Sequence, residues 1–306
     1  MKSHKPPTRR RKTIVDGPTA ARLLEEICRQ PEAHGLDIAI LNLKCALALP
    51  HAEDLSIPRC LERLDQMARR VRHETNRNLH RYHERPGEWD NSEAQWRAGM
   101  MITVLHQDFG VRYNPERIYD PDFRDSRDLF IHGVLFGHGG TCASMPVLYV
   151  GIGRRLGYPL RLVSAKAHGF ARWDDSDGKQ WGQPARFNFE GSGLGFKTYP
   201  DEFYHEWPLK LHHSELAEGR FLRSLAPREE LACFLASRGH CLQDTKRFAE
   251  AAQVFRWAAE LDPIGPPYAA FRNVAMALAG IPVPPGFEQF AREAEKERAR
   301  INDLDK

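Results

Sequence analysis

Apolar residues recur every three or four positions through the first third of the chain. Ala20, Leu23, Leu24 and Ile27 form a stripe after Pro18-Thr19 and predict a helix. Leu36 to Leu49 predicts a second, ended by Pro50. A third starts near Ser56, with Pro58 in its first turn and Leu61, Leu64, Met67, Ala68 and Val71 on one face. Together they read as a helical bundle. The polar run from Asn78 to Trp89 reads as a connection. Ser92 and Gln95 then have capping-box spacing ahead of Trp96, Met100 and Val104, with Gly110 as the closing residue.

From Val111 to Gly140 the pattern is irregular, broken by turns such as Asp120-Pro121-Asp122, and loops here are suited to surround a site. Helical spacing returns after Cys142 with Met145, Leu148, Tyr149, Ile152 and Leu156, and Gly157 and Pro159 stop it. This places Cys142 at the amino end of a buried helix. The period then shortens to two, and Leu160–Val163, His168–Trp173 and Ala185–Glu190 read as strands. Helix followed by antiparallel strands predicts an α+β fold. From about Arg228 the chain is helical again. Leu235, Gly239, Leu242, Ala251, Phe255 and Ala258 fit one 34-residue tetratricopeptide-type hairpin, followed by a weaker helix from Tyr268 to Leu278. A single such unit does not make a solenoid; it reads as a packing appendage or a surface for a protein partner.

At 306 residues and 42% hydrophobic content the chain can bury a full core. No apolar run approaches the roughly 18 to 20 residues of a membrane helix, and no signal-peptide stretch follows Met1. A cytoplasmic protein with no membrane partner is expected. The net charge of +3 comes from the tail: removing Lys2, Lys5, Arg9, Arg10, Arg11 and Lys12 from the 44 basic residues leaves 38 against 41 acidic ones. The folded part is therefore mildly acidic, and no nucleic-acid partner is expected. Cys28, Cys45, Cys60, Cys142, Cys233 and Cys241 contain no CxxC pair, which argues against a disulfide framework or a structural zinc site.

Cys142 stands out among these by its surroundings, His138-Gly139-Gly140-Thr141-Cys142-Ala143-Ser144-Met145-Pro146. Two glycines permit a tight turn into a helix, and small neighbours leave space beside the sulfur. Backbone N–H groups at a helix amino end favour a thiolate and can hold charge developing on an attacked carbonyl. His168 opens a strand 26 positions later and is the candidate base. Asn188 and Glu190 share one face of the third strand, with Phe187 and Phe189 on the other, and either can orient the histidine. His132, His138, Cys142 and His168 are a conceivable zinc set, but there is no HExxH helix or compact Cys/His group, so neither metal nor cofactor is expected.

The block from Leu129 to Trp173 resembles the transglutaminase-like superfamily, and in particular its bacterial SirB-type branch. Gly139-Gly140-Thr141-Cys142-Ala143-Ser144, Val147 to Leu160 and His168-Gly169-Phe170-Ala171-Arg172-Trp173 carry the likeness. It implies a papain-like core, a helix packed on a small antiparallel sheet, with Cys142 as nucleophile and His168 as its partner. The family's third member is usually an aspartate; here the position falls to Asn188 or Glu190, with a slight preference for Asn188. The organisation that follows is a disordered basic tail (1–17), a helical region (18–110), a transglutaminase-like core (111–225), a tetratricopeptide-like region (226–280), and a Pro-rich joint with a charged terminal helix (281–306). The implied activity is thiol-dependent acyl transfer or hydrolysis, as by a cysteine protease, on a peptide or amide. The alternative is a non-catalytic interaction or regulatory protein that keeps the fold.

Overall fold

A computed structural model describes residues 16–31, 37–118, 122–181, 184–190, 195–287, 289 and 292. The basic run of the tail and nearly all of the expected terminal helix lie outside them.

Helix α1 (Gly17–Arg29) begins at Asp16, whose carboxylate accepts from the Thr19 N–H at 2.8 Å, and buries Ala20, Leu24 and Ile27. The short α2 (Ile38–Ala46) is buried on nearly every side, as a central helix must be when its apolar residues run all round it. Helix α3 (Ile57–Glu84) is longer than the sequence pattern predicts, because the polar stretch from Asn78 onward continues it instead of connecting. Asn78 bonds the Glu74 carbonyl at 2.8 Å, and the buried Tyr82 packs against Trp96. The helix ends at Arg85, before Pro86, where the next ring disfavours helical backbone. Helix α4 (Glu93–Phe109) starts and stops where its signals lie: Ser92 Oγ accepts from the Gln95 N–H, and Gly110 closes the helix at φ 66°. The Gln95 amide bonds Asp90, so the reciprocal half of the capping box is absent.

The irregular stretch contains two short helices, α5 (Ser126–Leu129) and α6 (Ile131–Leu135). Helix α7 (Met145–Leu156) is the central element, buried from Met145 through Gly153 and stopped by Gly157 at φ 83°. It packs against α2, α3, α4 and α6 and against one antiparallel sheet of order β1-β2-β3-β4. The strands are β1 (Leu160–Ala165), β2 (His168–Asp175), β3 (Ala185–Glu190) and β4 (Lys197–Tyr199). The three-residue β4 has too little pattern to be predicted. Leu160, Leu162, Ala171, Trp173 and Phe189 join the main core, whereas Val163, Ala165 and Phe170 form a smaller cluster with Tyr204 on the opposite face. The result is the expected α+β fold.

Two short helices, α8 (Phe203–Glu206) and α9 (His213–Ala217), lead to α10 (Pro227–Asp244), α11 (Phe248–Leu261) and α12 (Tyr268–Leu278). Gly239 lets α11 approach α10 closely, since a Cβ there would lie 2.6 Å from the Phe255 ring. Buried charges tie these helices to the core. Arg154 makes a two-pronged pair with Glu230 at 2.5 and 3.0 Å, and Arg238 donates to the Cys45 and Leu47 carbonyls at 2.9 and 2.7 Å. Among the described residues, no helix is long and apolar enough to cross a membrane.

Candidate active site

The turn that carries Cys142 is held from three sides. Gly140 exchanges backbone hydrogen bonds with the 112–114 segment, Asn114 N–H to Gly140 O at 2.8 Å and Gly140 N–H to Arg112 O at 3.0 Å. A side chain at Gly140 would collide with Met145 and Val134, at 2.5 and 2.7 Å, so a residue with no Cβ is required there. Thr141 Oγ1 and Ser144 Oγ both donate to the Asp128 carbonyl, at 2.7 and 3.0 Å, and tether the turn to α5. Cys142 lies just before α7 proper, which begins at Met145. The Met145 N–H closes the turn onto Thr141 O at 3.0 Å. The thiol therefore sits in the entry turn rather than in the first helical turn.

His168 opens β2 beside this turn, near enough to Cys142 for the thiol to help raise the pKa of the ring. Gly169 makes the approach possible: a Cβ there would lie 2.9 Å from the Cys142 carbonyl oxygen. The other side of the ring is fixed by Glu190, whose Oε1 lies 2.7 Å from His168 Nε2, which leaves Nδ1 for the sulfur. Tyr204 donates to the same carboxylate oxygen at 2.9 Å. The imidazole lies nearly parallel to the Phe170 and Tyr204 rings and meets Trp207 edge-on, with centroids 4.6 Å apart. Burial disfavours a charged ring, but the hydrogen bonds to Cys142 and Glu190 and their charges outweigh it, and the His168 pKa rises from its ordinary 6.5 to about 9.

Strand register decides between the two orienting candidates. Asn188 and Glu190 do share a face, but Arg172 pairs with Asn188 and Ala171 with Phe189, so Glu190 falls beside Phe170, two residues from His168. Asn188 is two residues farther along and is engaged elsewhere. Its Oδ1 accepts from Arg172 Nε at 2.6 Å, and its amide donates to Asp201 Oδ1 at 2.7 Å and to the Tyr199 carbonyl at 3.1 Å. Of the two candidates, Glu190 and not Asn188 is the one hydrogen-bonded to His168. Asn188 instead accepts from a buried guanidinium whose charge Asp201 balances at 2.6 Å. Asn188→Ala should cost about 1–3 kcal/mol in urea unfolding, because it leaves Arg172 Nε buried without its acceptor. Alkylation of Cys142 by iodoacetamide should stay within a few-fold of the unaltered chain, and a large loss would return Asn188 to the site.

Two neighbours carried no sequence signal. Tyr113, 29 residues before the cysteine in the aperiodic stretch, lies close enough to Cys142 for the sulfur and the backbone N–H to bear on its phenol. Burial first, then the charge on the neighbouring sulfur, pushes its phenol pKa well up, so the hydroxyl keeps its proton. Tyr204 is raised in the same way by burial and by Glu190. Behind the sulfur, Cys142, Met145, Tyr149, Phe189 and Glu190 enclose a cavity of about 10 Å³. That volume is no larger than a water requires, too small for a substrate.

The four residues of the zinc alternative are not brought together as one ligand set. His138 faces Asp128 at 2.9 Å, His132 lies 3.4 Å from Ser126 Oγ, and His168 is held by Glu190. Among the described residues, Asp125, Asp128 and His138 do place ligand atoms within 4.8 Å of one another. Both carboxylates are already paired with guanidinium groups, Asp125 with Arg127 at 2.6 Å and Asp128 with Arg117 at 2.8 Å.

Residues 58–185 match the family model described as the transglutaminase-like superfamily. The matched stretch includes Cys142 and His168 and ends before Glu190. No curated protein and no solved structure matches the chain.

Proposed function

We propose that the chain is a cysteine-dependent acyl-transfer enzyme acting on a peptide or amide, with Cys142 as nucleophile, His168 as proton carrier and Glu190 as the residue that positions the ring. The observation that carries this reading is the hydrogen-bonded line His168–Glu190–Tyr204 set beside Cys142, with the thiol among the groups that raise the His168 pKa. A satisfied structural histidine needs no thiol at one nitrogen and a buried carboxylate at the other. The transglutaminase-like match over the same cysteine and histidine supports it independently.

In the proposed reaction the sulfur attacks the carbonyl carbon, a C–S bond forms, and the thiol proton resides on His168. The Tyr113 hydroxyl lies beside Cys142, and swinging it from the sulfur to the carbonyl oxygen would supply a donor where negative charge develops. As the tetrahedral species collapses, His168 gives its proton to the departing amine nitrogen, the C–N bond breaks and a thioester remains. Water then restores the thiol and yields the acid, or a second amine restores it and yields a new amide. The bacterial SirB-type resemblance and the tetratricopeptide-type reading of α10 and α11 belong to this proposal as well. The Gly239–Phe255 contact supports the latter, and a protein substrate or partner is the occupant it suggests.

The test is intact-mass spectrometry after mixing with p-nitrophenyl acetate. One acetyl group on Cys142, absent from Cys142→Ala and released faster when a primary amine is added, is the expected result. Acetylation spread over lysines, with none on Cys142, would overturn the reading.

A further inference from the structure

Phe170, Tyr204 and Glu190, which flank the His168 ring, are all buried. Trp207 flanks it too, edge-on with centroids 4.6 Å apart, yet is 44% exposed. An indole so placed is open to a molecule that exchanges a proton with the imidazole.

Trp207 does not stand alone. Phe203, 36% exposed, lies 5.4 Å from it between ring centroids and stacks on Tyr199 at 4.4 Å. Leu209, two residues farther on, is 51% exposed. Among the described residues eight large apolar side chains are exposed, and three of them fall within the seven residues 203–209. Exposed apolar residues scattered singly need no explanation, whereas a group of them beside a reactive centre marks surface that a ligand covers. The group also sits on a fixed base. Tyr204, between Phe203 and Trp207 in the chain, stacks on Phe170 at 4.0 Å and donates to Glu190, so the segment is anchored to the same residues that hold His168.

When an amide is cleaved, His168 gives its proton to the departing nitrogen, and in amine capture it takes one from the attacking nitrogen. The substituent on that nitrogen then comes within reach of the exposed neighbour of His168, which is Trp207. A small polar substituent gains little there. An aromatic ring gains from removal of apolar surface from water and from the ring–ring contact.

We infer, on the acyl-transfer reading of Cys142 and His168, that Trp207 and Phe203 form the amine-side subsite and select amides and acceptor amines bearing an aromatic or bulky apolar group close to the nitrogen. Benzylamine and 2-methoxyethylamine test it, since these primary amines are of similar basicity and differ in the apolar ring. The full chain is acetylated with p-nitrophenyl acetate, freed of reagent and given one amine. The nitrogen attacks the thioester carbonyl, the C–N bond forms, the C–S bond breaks, and the amine's proton passes through His168 to the sulfur. Loss of the acetyl group from Cys142, followed by intact mass, should be about tenfold faster with benzylamine at equal concentration. Trp207→Ala should bring the ratio of the two rates to within about twofold of unity, and Trp207→Phe should keep most of the preference. A general slowing of the site cancels in that ratio. Equal rates for both amines, or a preference that survives Trp207→Ala, would overturn the inference. Saturation-transfer NMR on the Cys142→Ala chain reads the subsite without the chemistry. The ring protons of benzylamine should receive saturation there and lose it when Trp207→Ala is added; no saturation in the first chain, or equal saturation in both, would also overturn the inference. A chain that binds benzylamine through Trp207 but takes no acetyl group would overturn the acyl-transfer reading alone and leave Trp207 a site for aromatic amines.

Discussion

Glu190→Gln lowers the acyl-transfer rate by about 10²- to 10⁴-fold, the range over which a positioned proton-transfer group contributes. The carboxylate accepts from His168 Nε2 at 2.7 Å and from the Tyr204 hydroxyl at 2.9 Å, both on the same oxygen. An amide has no negative charge to hold the imidazolium, and if its NH₂ group turns toward the ring it favours the tautomer with the proton on the wrong nitrogen. The pH profile should move in a defined direction. With the His168 pKa raised to about 9, the protonated ring needed to expel the amine is present through neutral pH and is lost as pH rises through that value. Removing the Glu190 charge takes away part of what raises it, so the alkaline limb of kcat shifts to lower pH. An unchanged limb in Glu190→Gln would mean that the carboxylate does not act on His168.

Cys142→Ala abolishes acyl transfer, and His168→Ala lowers it by about 10⁴- to 10⁶-fold, the loss seen when one member of a nucleophile–base unit is removed. No other thiol can take over. Burial pushes the Cys60 thiol up to about 11 and those of Cys28, Cys233 and Cys241 up to about 12, and it raises Cys45 further. Among the described residues, no histidine is among the groups that act on any of these thiols. Single-turnover acylation by an activated ester, followed by rapid quench, separates the two variants from simple misfolding when paired with urea unfolding curves. Activity in Cys142→Ala within about tenfold of the unaltered chain would place the chemistry elsewhere.

Much of the frame that holds this site is written in local signals. Gly110 and Gly157 close α4 and α7 because each adopts a left-handed turn that a side chain would resist, and Ser92 starts α4 because its oxygen meets an N–H that the helix leaves open. Cys142 and His168 could be picked out because the glycines before one and after the other mark close backbone approach. The choice between Asn188 and Glu190 could not. Alternation puts both on one face of β3, but which of them lies near His168 depends on the offset between two strands, and nothing within either strand encodes that offset. Tyr113 reaches the sulfur through the backbone clamp between Asn114 and Gly140, a contact between two aperiodic loops, and Tyr204 arrives from beyond β4. The extension of α3 through Glu84 was hidden for a different reason. Its last turns are polar on most sides, and tertiary contacts at Tyr82, not an apolar stripe, hold them in place.

If His168 holds the Cys142 sulfur ready to react, alkylation of that sulfur depends on the imidazole. Iodoacetamide should label Cys142 selectively at pH 7, leaving untouched the five thiols whose pKa burial raises, and the rate should fall at least tenfold in His168→Ala. Slow labelling of Cys142 that is the same with and without the imidazole would mean that His168 does not activate the thiol.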